Sequence, residues 1–97
     1  MVNIAVIDDE PKIRRGITAM LRQSFDGRVY VHSFETTSEV IKFAGKENID
    51  ILITDICMPD MDGLELGSYL KMFCPELKII IISGYSNFEY AKAAISL

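Results

Sequence analysis

Apolar residues fall in short runs parted by polar turns, and two spacings alternate along the chain. Val2 to Ile7 is a β-branched run halted by Asp8-Asp9-Glu10, which reads as a strand ending in an acidic loop. Pro11 suits the first turn of a helix, where its missing N–H costs nothing, and the acids before it complement the helix dipole. Ile13, Ile17, Met20 and Leu21 follow at helical spacing, and Phe25 closes the stripe. Asp26-Gly27 is a turn, after which Val29 and Val31 alternate with Tyr30 and His32 in a second strand nearer an edge. Thr36, Thr37 and Ser38 offer N-caps to a second helix with Val40, Ile41 and Ala44 on its apolar face. Ile51-Leu52-Ile53-Thr54 is a third strand ending at Asp55, and Pro59, Asp60, Asp62 and Gly63 form a loop. Leu64, Leu66, Leu70 and Phe73 mark a third helix that stops before Pro75. Lys78 leads into Ile79-Ile80-Ile81-Ile82, a fourth strand broken by Ser83-Gly84. Asn87 caps a last helix carrying Phe88, Ala91, Ala94 and Ile95.

Strands alternating with helices imply an α/β fold, a parallel sheet with helices on both faces. The apolar strands agree, because strands covered on both faces lose polar alternation; Ile79 to Ile82 reads as such an interior strand. In doubly wound sheets ligands bind at the carboxyl ends of the strands.

Composition narrows the class. With 97 residues, 49% of them apolar and 25% charged, the chain has room for one core and is not a disordered segment. Ten basic residues against 14 acidic, net −4, argue against a nucleic-acid-binding face or an anionic membrane surface. Cys57 and Cys74 are too few for a disulfide scaffold, and His32 completes no zinc spacing with them. They read as partly buried thiols in a reducing cytosol, and the methionines as core filler. No apolar run approaches the ~18 residues that span a bilayer, and the N-terminus lacks the basic region of a signal peptide, so a cytoplasmic location is expected.

Strand ends then select the candidate chemistry: Asp8 and Asp9 after the first, Asp55 at the third, Ser83 after the fourth. If the first and third strands are neighbours, three carboxylates converge, an unfavourable cluster unless protonated or neutralised. Hard oxygens in a shallow, wet site suit Mg²⁺, whereas solvated loop acids would need no ligand; strand-end position alone leaves both readings open. Asp60 and Asp62 read as turn and cap residues, because a calcium-loop frame would put Met58 and Tyr69 at ligand positions.

Asp8-Asp9-Glu10, Thr54-Asp55-Ile56-Cys57-Met58-Pro59-Asp60-Met61-Asp62-Gly63 and Ile82-Ser83-Gly84-Tyr85, each at a strand end, resemble the receiver domain of bacterial two-component response regulators. The stretch from Ser83 to Ala91 is most similar to receivers with an AraC-type DNA-binding domain downstream. The resemblance implies a flavodoxin-like, doubly wound parallel sheet of order 2-1-3-4. It makes Asp55 the phosphoacceptor for a sensor histidine kinase. Asp8 and Asp9 would hold Mg²⁺ with Asp55, Asp9 directly and Asp8 partly through water, while Cys57 lends only its backbone carbonyl. Ser83 would be the hydroxyl that binds the phosphoryl group and switches a signalling surface. Such a chain is a signalling domain and no enzyme beyond self-catalysed phosphotransfer and autodephosphorylation. Control of transcription, and DNA contact, would run through an output domain not present here.

The family's fifth strand, with its lysine, and last helix have no counterpart before Leu97, and Lys92 does not match that lysine. Residues 1–97 are therefore expected to be a receiver incomplete at its C-terminus, with an apolar fourth strand left at an edge and self-association as the consequence. Two other readings compete: an interaction module that does not use phosphorylation, and a phosphatase of the haloacid dehalogenase kind. The latter wants a second Asp two residues after the nucleophile, where this chain has Cys57.

Overall fold

The structure, a computed structural model, describes residues 1–82. Ser83 and the expected last helix around Asn87 to Ile95 lie outside the described residues. The elements run β1 (Val2–Ile7), α1 (Pro11–Ser24), β2 (Val29–Phe34), α2 (Thr37–Ala44), β3 (Ile51–Asp55), α3 (Gly63–Leu70) and β4 (Lys78–Ile82). The four strands form one parallel sheet of order β2-β1-β3-β4.

The order follows from burial. β1 lies in the middle and is sealed on both faces: Ala5 and Ile7 face the α2/α3 layer, while Ile4 and Val6 face α1. Leu52 and Ile53 divide β3 between the same two clusters. Fully burying an aliphatic side chain is worth about 1.5–3 kcal/mol, so this two-sided core fixes both register and layer. Local signals set the helix ends. Thr36 caps α2, its hydroxyl accepting the Glu39 N–H at 3.3 Å. Gly27, at φ 74°, makes the turn into β2 that other residues rarely adopt.

The structure corrects five expectations. The inward stripe of α1 is Arg14, Ile17, Thr18 and Leu21, an i, i+3, i+4, i+7 set, whereas Ile13, Met20 and Phe25 are exposed. Among the described residues strand β4 is not sealed on both faces: α1 lies over β1 and β2, and Ile80 stays 50% exposed. α3 ends at Leu70, and Phe73 packs at a tilt against Tyr69 at the surface, with ring centroids 5.4 Å apart, instead of joining the core. Of the methionines in the described residues, Met58 and Met61 pack on the core, while Met1, Met20 and Met72 are exposed. The thiols also divide, Cys74 buried and Cys57 exposed.

Candidate functional site

β1 and β3 are parallel neighbours, with Ile7 opposite Thr54, so both chains leave the sheet at the same edge. That brings Asp8, Asp9 and Asp55 together, each with a carboxylate oxygen within 4.8 Å of the others'. Their environments differ: Asp8 is buried, Asp55 half-buried and Asp9 exposed. Asp8 accepts the Glu10 N–H at 2.8 Å. Burial pushes the Asp8 carboxyl above its ordinary range, the charges of Asp55, Asp9 and Glu10 push the same way, and the Glu10 N–H offsets part of this.

Asp55 is held from behind. Thr54, fully buried, donates its hydroxyl to the Asp55 carbonyl at 2.8 Å. The chain then loops through Ile56 and exposed Cys57 and returns at Gly63, whose N–H donates to the Ile56 carbonyl at 2.9 Å. A β-carbon at Gly63 would stand 2.5 Å from the Asp55 carbonyl oxygen, so only glycine lets α3 start this close to the strand end. Asp62 caps α3 by accepting the Glu65 N–H at 2.8 Å, as its turn-and-cap reading expected. Pro59 and Asp60 instead line a crevice of about 110 Å³ with Ile7, Asp9, Glu35 and Met58.

The sequence-selected residues thus divide. Asp8, Asp9 and Asp55 converge, Cys57 sits two residues past Asp55 on the loop, and Ser83 lies outside the described residues. Two contributors were not singled out in the sequence. One is Thr54, through its hydroxyl. The other is Arg14, whose Nη1 donates to the Asp8 carbonyl at 2.8 Å and whose Nη2 lies 3.6 Å from Glu35 Oε1. A charged residue in register with Ile17, Thr18 and Leu21 was the signal that could have found Arg14.

A parallel doubly wound sheet with acids clustered at its carboxyl edge is an α/β domain with its candidate site where such sheets bind ligands. The family model described as response regulator receiver domain matches residues 4–97, and the chain belongs to that family, the receiver domains of two-component systems. These are signalling domains rather than classical enzymes.

The transcriptional regulatory protein YesN of Bacillus subtilis is 33% identical over 95 residues, covering 98% of this chain and 26% of that protein. The chain thus spans about a quarter of the length of this relative. The two-component transcriptional regulator AraC of Clostridium phytofermentans superposes with a TM-score of 0.82 at 30% identity, covering 95% of this chain and 74% of that one. Response regulator TrrA of Thermotoga maritima, solved in complex with Mg²⁺–BeF, gives a TM-score of 0.78 at 31% identity, over 97% of this chain and 81% of that one.

The three carboxylates fit a hard divalent cation. They supply oxygen donors only, they converge from two strand ends, and Asp8 is left in a place that disfavours its own charge. Among the described residues no helix is long and apolar enough to cross a membrane.

Proposed function

We propose that this chain is a phosphoacceptor switch in which Asp55 receives a phosphoryl group from a sensor histidine kinase. The convergence of Asp8, Asp9 and Asp55 within 4.8 Å carries the reading, since uncompensated carboxylates this close call for a cation. Asp8, Asp9 and Asp55 would hold Mg²⁺, which would supply positive charge to the carboxylates and to the transferring phosphoryl oxygens. Asp9, exposed, would be the direct ligand, and Asp8, already accepting the Glu10 N–H, would act partly through water. Cys57 contributes its backbone carbonyl, and its exposed thiol takes no part.

An Asp55 oxygen attacks the phosphorus of a phosphohistidine. The O–P bond forms as the P–N bond breaks, and the imidazole leaves with the electron pair and takes up a proton. Attack of water at phosphorus later restores the carboxylate and releases inorganic phosphate; this self-catalysed turnover is the whole of the chemistry. The hydroxyl of Ser83, given this role by the resemblance alone, would donate to the phosphoryl group and relay the switch. In the whole protein the switched surface controls transcription in the cytoplasm, with DNA contacted by an output domain. Self-association through β4 is a further part of the reading: among the described strands its partner is β3 alone, and Ile80 is half exposed. A monodisperse monomer in light scattering contradicts that part.

The test of the main reading is incubation with acetyl phosphate and Mg²⁺, followed by borohydride reduction and mass spectrometry. Label on Asp55 that disappears in EDTA is expected. Label on another residue, or labelling indifferent to EDTA, contradicts the assignment.

A further inference from the structure

The guanidinium of Arg14 ties three segments together behind the acidic cluster. Its Nη1 donates to the Asp8 carbonyl at 2.8 Å, and its Nη2 reaches Glu35, just after β2, at 3.6 Å. Its own main chain is fixed in the first turn of α1, where the Arg14 N–H donates to the Glu10 carbonyl at 3.0 Å. The side chain is only 12% exposed although α1 is a surface helix, because Arg14 occupies the inward stripe with Ile17, Thr18 and Leu21. A guanidinium this little exposed and satisfied by a main-chain carbonyl is costly to place and geometrically strict. Asp8 is consequently held at both ends, its carboxylate by the Glu10 N–H at 2.8 Å and its carbonyl by Arg14. Glu35, itself 69% exposed, also lines the crevice next to Asp9.

We infer that Arg14 is a positioning residue for the cation site: by clamping the Asp8 main chain to α1 and to Glu35, it holds the loop of Asp8 and Asp9 in the geometry that receives Mg²⁺. The inference rests on the proposed Mg²⁺ pocket. Its direction is opposite to plain electrostatics. A positive charge beside a cation site repels the cation, so if Arg14 acted by charge alone its removal would tighten Mg²⁺ binding. A residue that orients ligands from behind does the reverse, and loss of such partners lowers metal affinity by about 10–100-fold.

The experiment is a calorimetric Mg²⁺ titration of the wild type, Arg14→Gln and Arg14→Lys, with heat unfolding of each in the absence of metal and Asp50→Ala as a variant destabilised far from the site. Arg14→Gln is expected to bind Mg²⁺ about tenfold more weakly. Arg14→Lys keeps the charge, loses the forked contact to Asp8 and Glu35 together, and is expected to fall between the two. Asp50→Ala is expected to melt lower with its Mg²⁺ affinity unchanged, which separates positioning from general loss of stability. If Arg14→Gln does not fold, the same comparison is read from Arg14→Lys. Unchanged or tighter Mg²⁺ binding in the Arg14 variants, beside a wild type that binds, overturns the inference alone; a wild type that takes no Mg²⁺ overturns the pocket and the inference with it.

Discussion

At the amino edge of the sheet Asp50 accepts the Asn3 N–H at 2.8 Å and an Asn48 side-chain N–H at 3.1 Å. Its main chain pairs with Asn3 and Lys78, each at 2.9 Å, so β1, β3 and β4 are pinned together where the strands begin. At the carboxyl edge, Asp8, Asp9 and Asp55 crowd within 4.8 Å, and Asp8 accepts the Glu10 N–H. The same side chain thus serves opposite ends. Where donors surround the carboxylate it adds stability, since a hydrogen bond to a charged group contributes about 1.5–3 kcal/mol. Where carboxylates face one another and one is buried, the fold carries an unfavourable charge cluster. Such a cost persists where something outside the chain relieves it, and strain of this kind concentrates at functional sites.

The sharpest way to break this contrast is Gly63→Ala. The new methyl meets the Asp55 carbonyl at 2.5 Å and the Thr54 methyl at 3.0 Å, which are backbone and a fully buried side chain. A loss of about 2–3 kcal/mol in denaturant unfolding is expected, together with weaker Mg²⁺ binding, because the clash falls on the site. Asp50→Ala comes next. It leaves the Asn3 N–H without its carboxylate partner, and a loss of about 1–2 kcal/mol is expected, with Mg²⁺ affinity intact.

Asp8→Asn tests the other edge and has the opposite sign. Burial favours the protonated Asp8 carboxyl in the folded chain, so ionised Asp8 costs stability at neutral pH. In metal-free buffer at pH 7 the variant is expected to melt a little higher than the wild type. The gain shrinks as pH falls through the carboxylate range and vanishes below the ordinary Asp value of 3.8, where wild-type Asp8 is protonated in both states. A lower melting temperature at pH 7 would show Asp8 to be as well compensated as Asp50.

The smallest effect belongs to His32, whose ring lies 4.5 Å from that of Phe43 and whose Nε2 is 3.3 Å from Asn3 Oδ1. Burial, and then the charge of Arg22, lower its pKa below 6.5, so the folded chain resists protonating it. Stability is therefore expected to be complete above 6.5 and to decline slightly as pH drops below it, with the decline absent in His32→Asn.

Much of this arrangement is legible in the sequence because strand and site share one signal. Val2 to Ile7 followed by Asp8-Asp9, and Ile51 to Thr54 followed by Asp55, mark both a strand and its functional end. Parallel pairing of β1 with β3 then brings those ends together. Helix faces were less legible. Hydropathy placed Ile13 and Met20 inward on α1, yet the helix turns Arg14 and Thr18 toward the sheet, because Arg14 finds the Asp8 carbonyl and Thr18 bonds back to the Arg14 carbonyl at 2.8 Å. A residue scale cannot register a buried polar group whose partner is a main-chain oxygen. The isoleucine run of β4 misled for a related reason: residue type sets how well a strand tolerates burial, but helix coverage decides whether Ile80 is buried.

The contrast between the two edges is tested most directly by a Mg²⁺ titration followed residue by residue in backbone amide NMR spectra. The account predicts shifts confined to the carboxyl edge, at Asp8, Asp9, Glu10, Asp55, Ile56 and Cys57, with Asn3, Asn48 and Asp50 unmoved. Shifts at Asp50 of equal size, or none at Asp9 and Asp55, would contradict it.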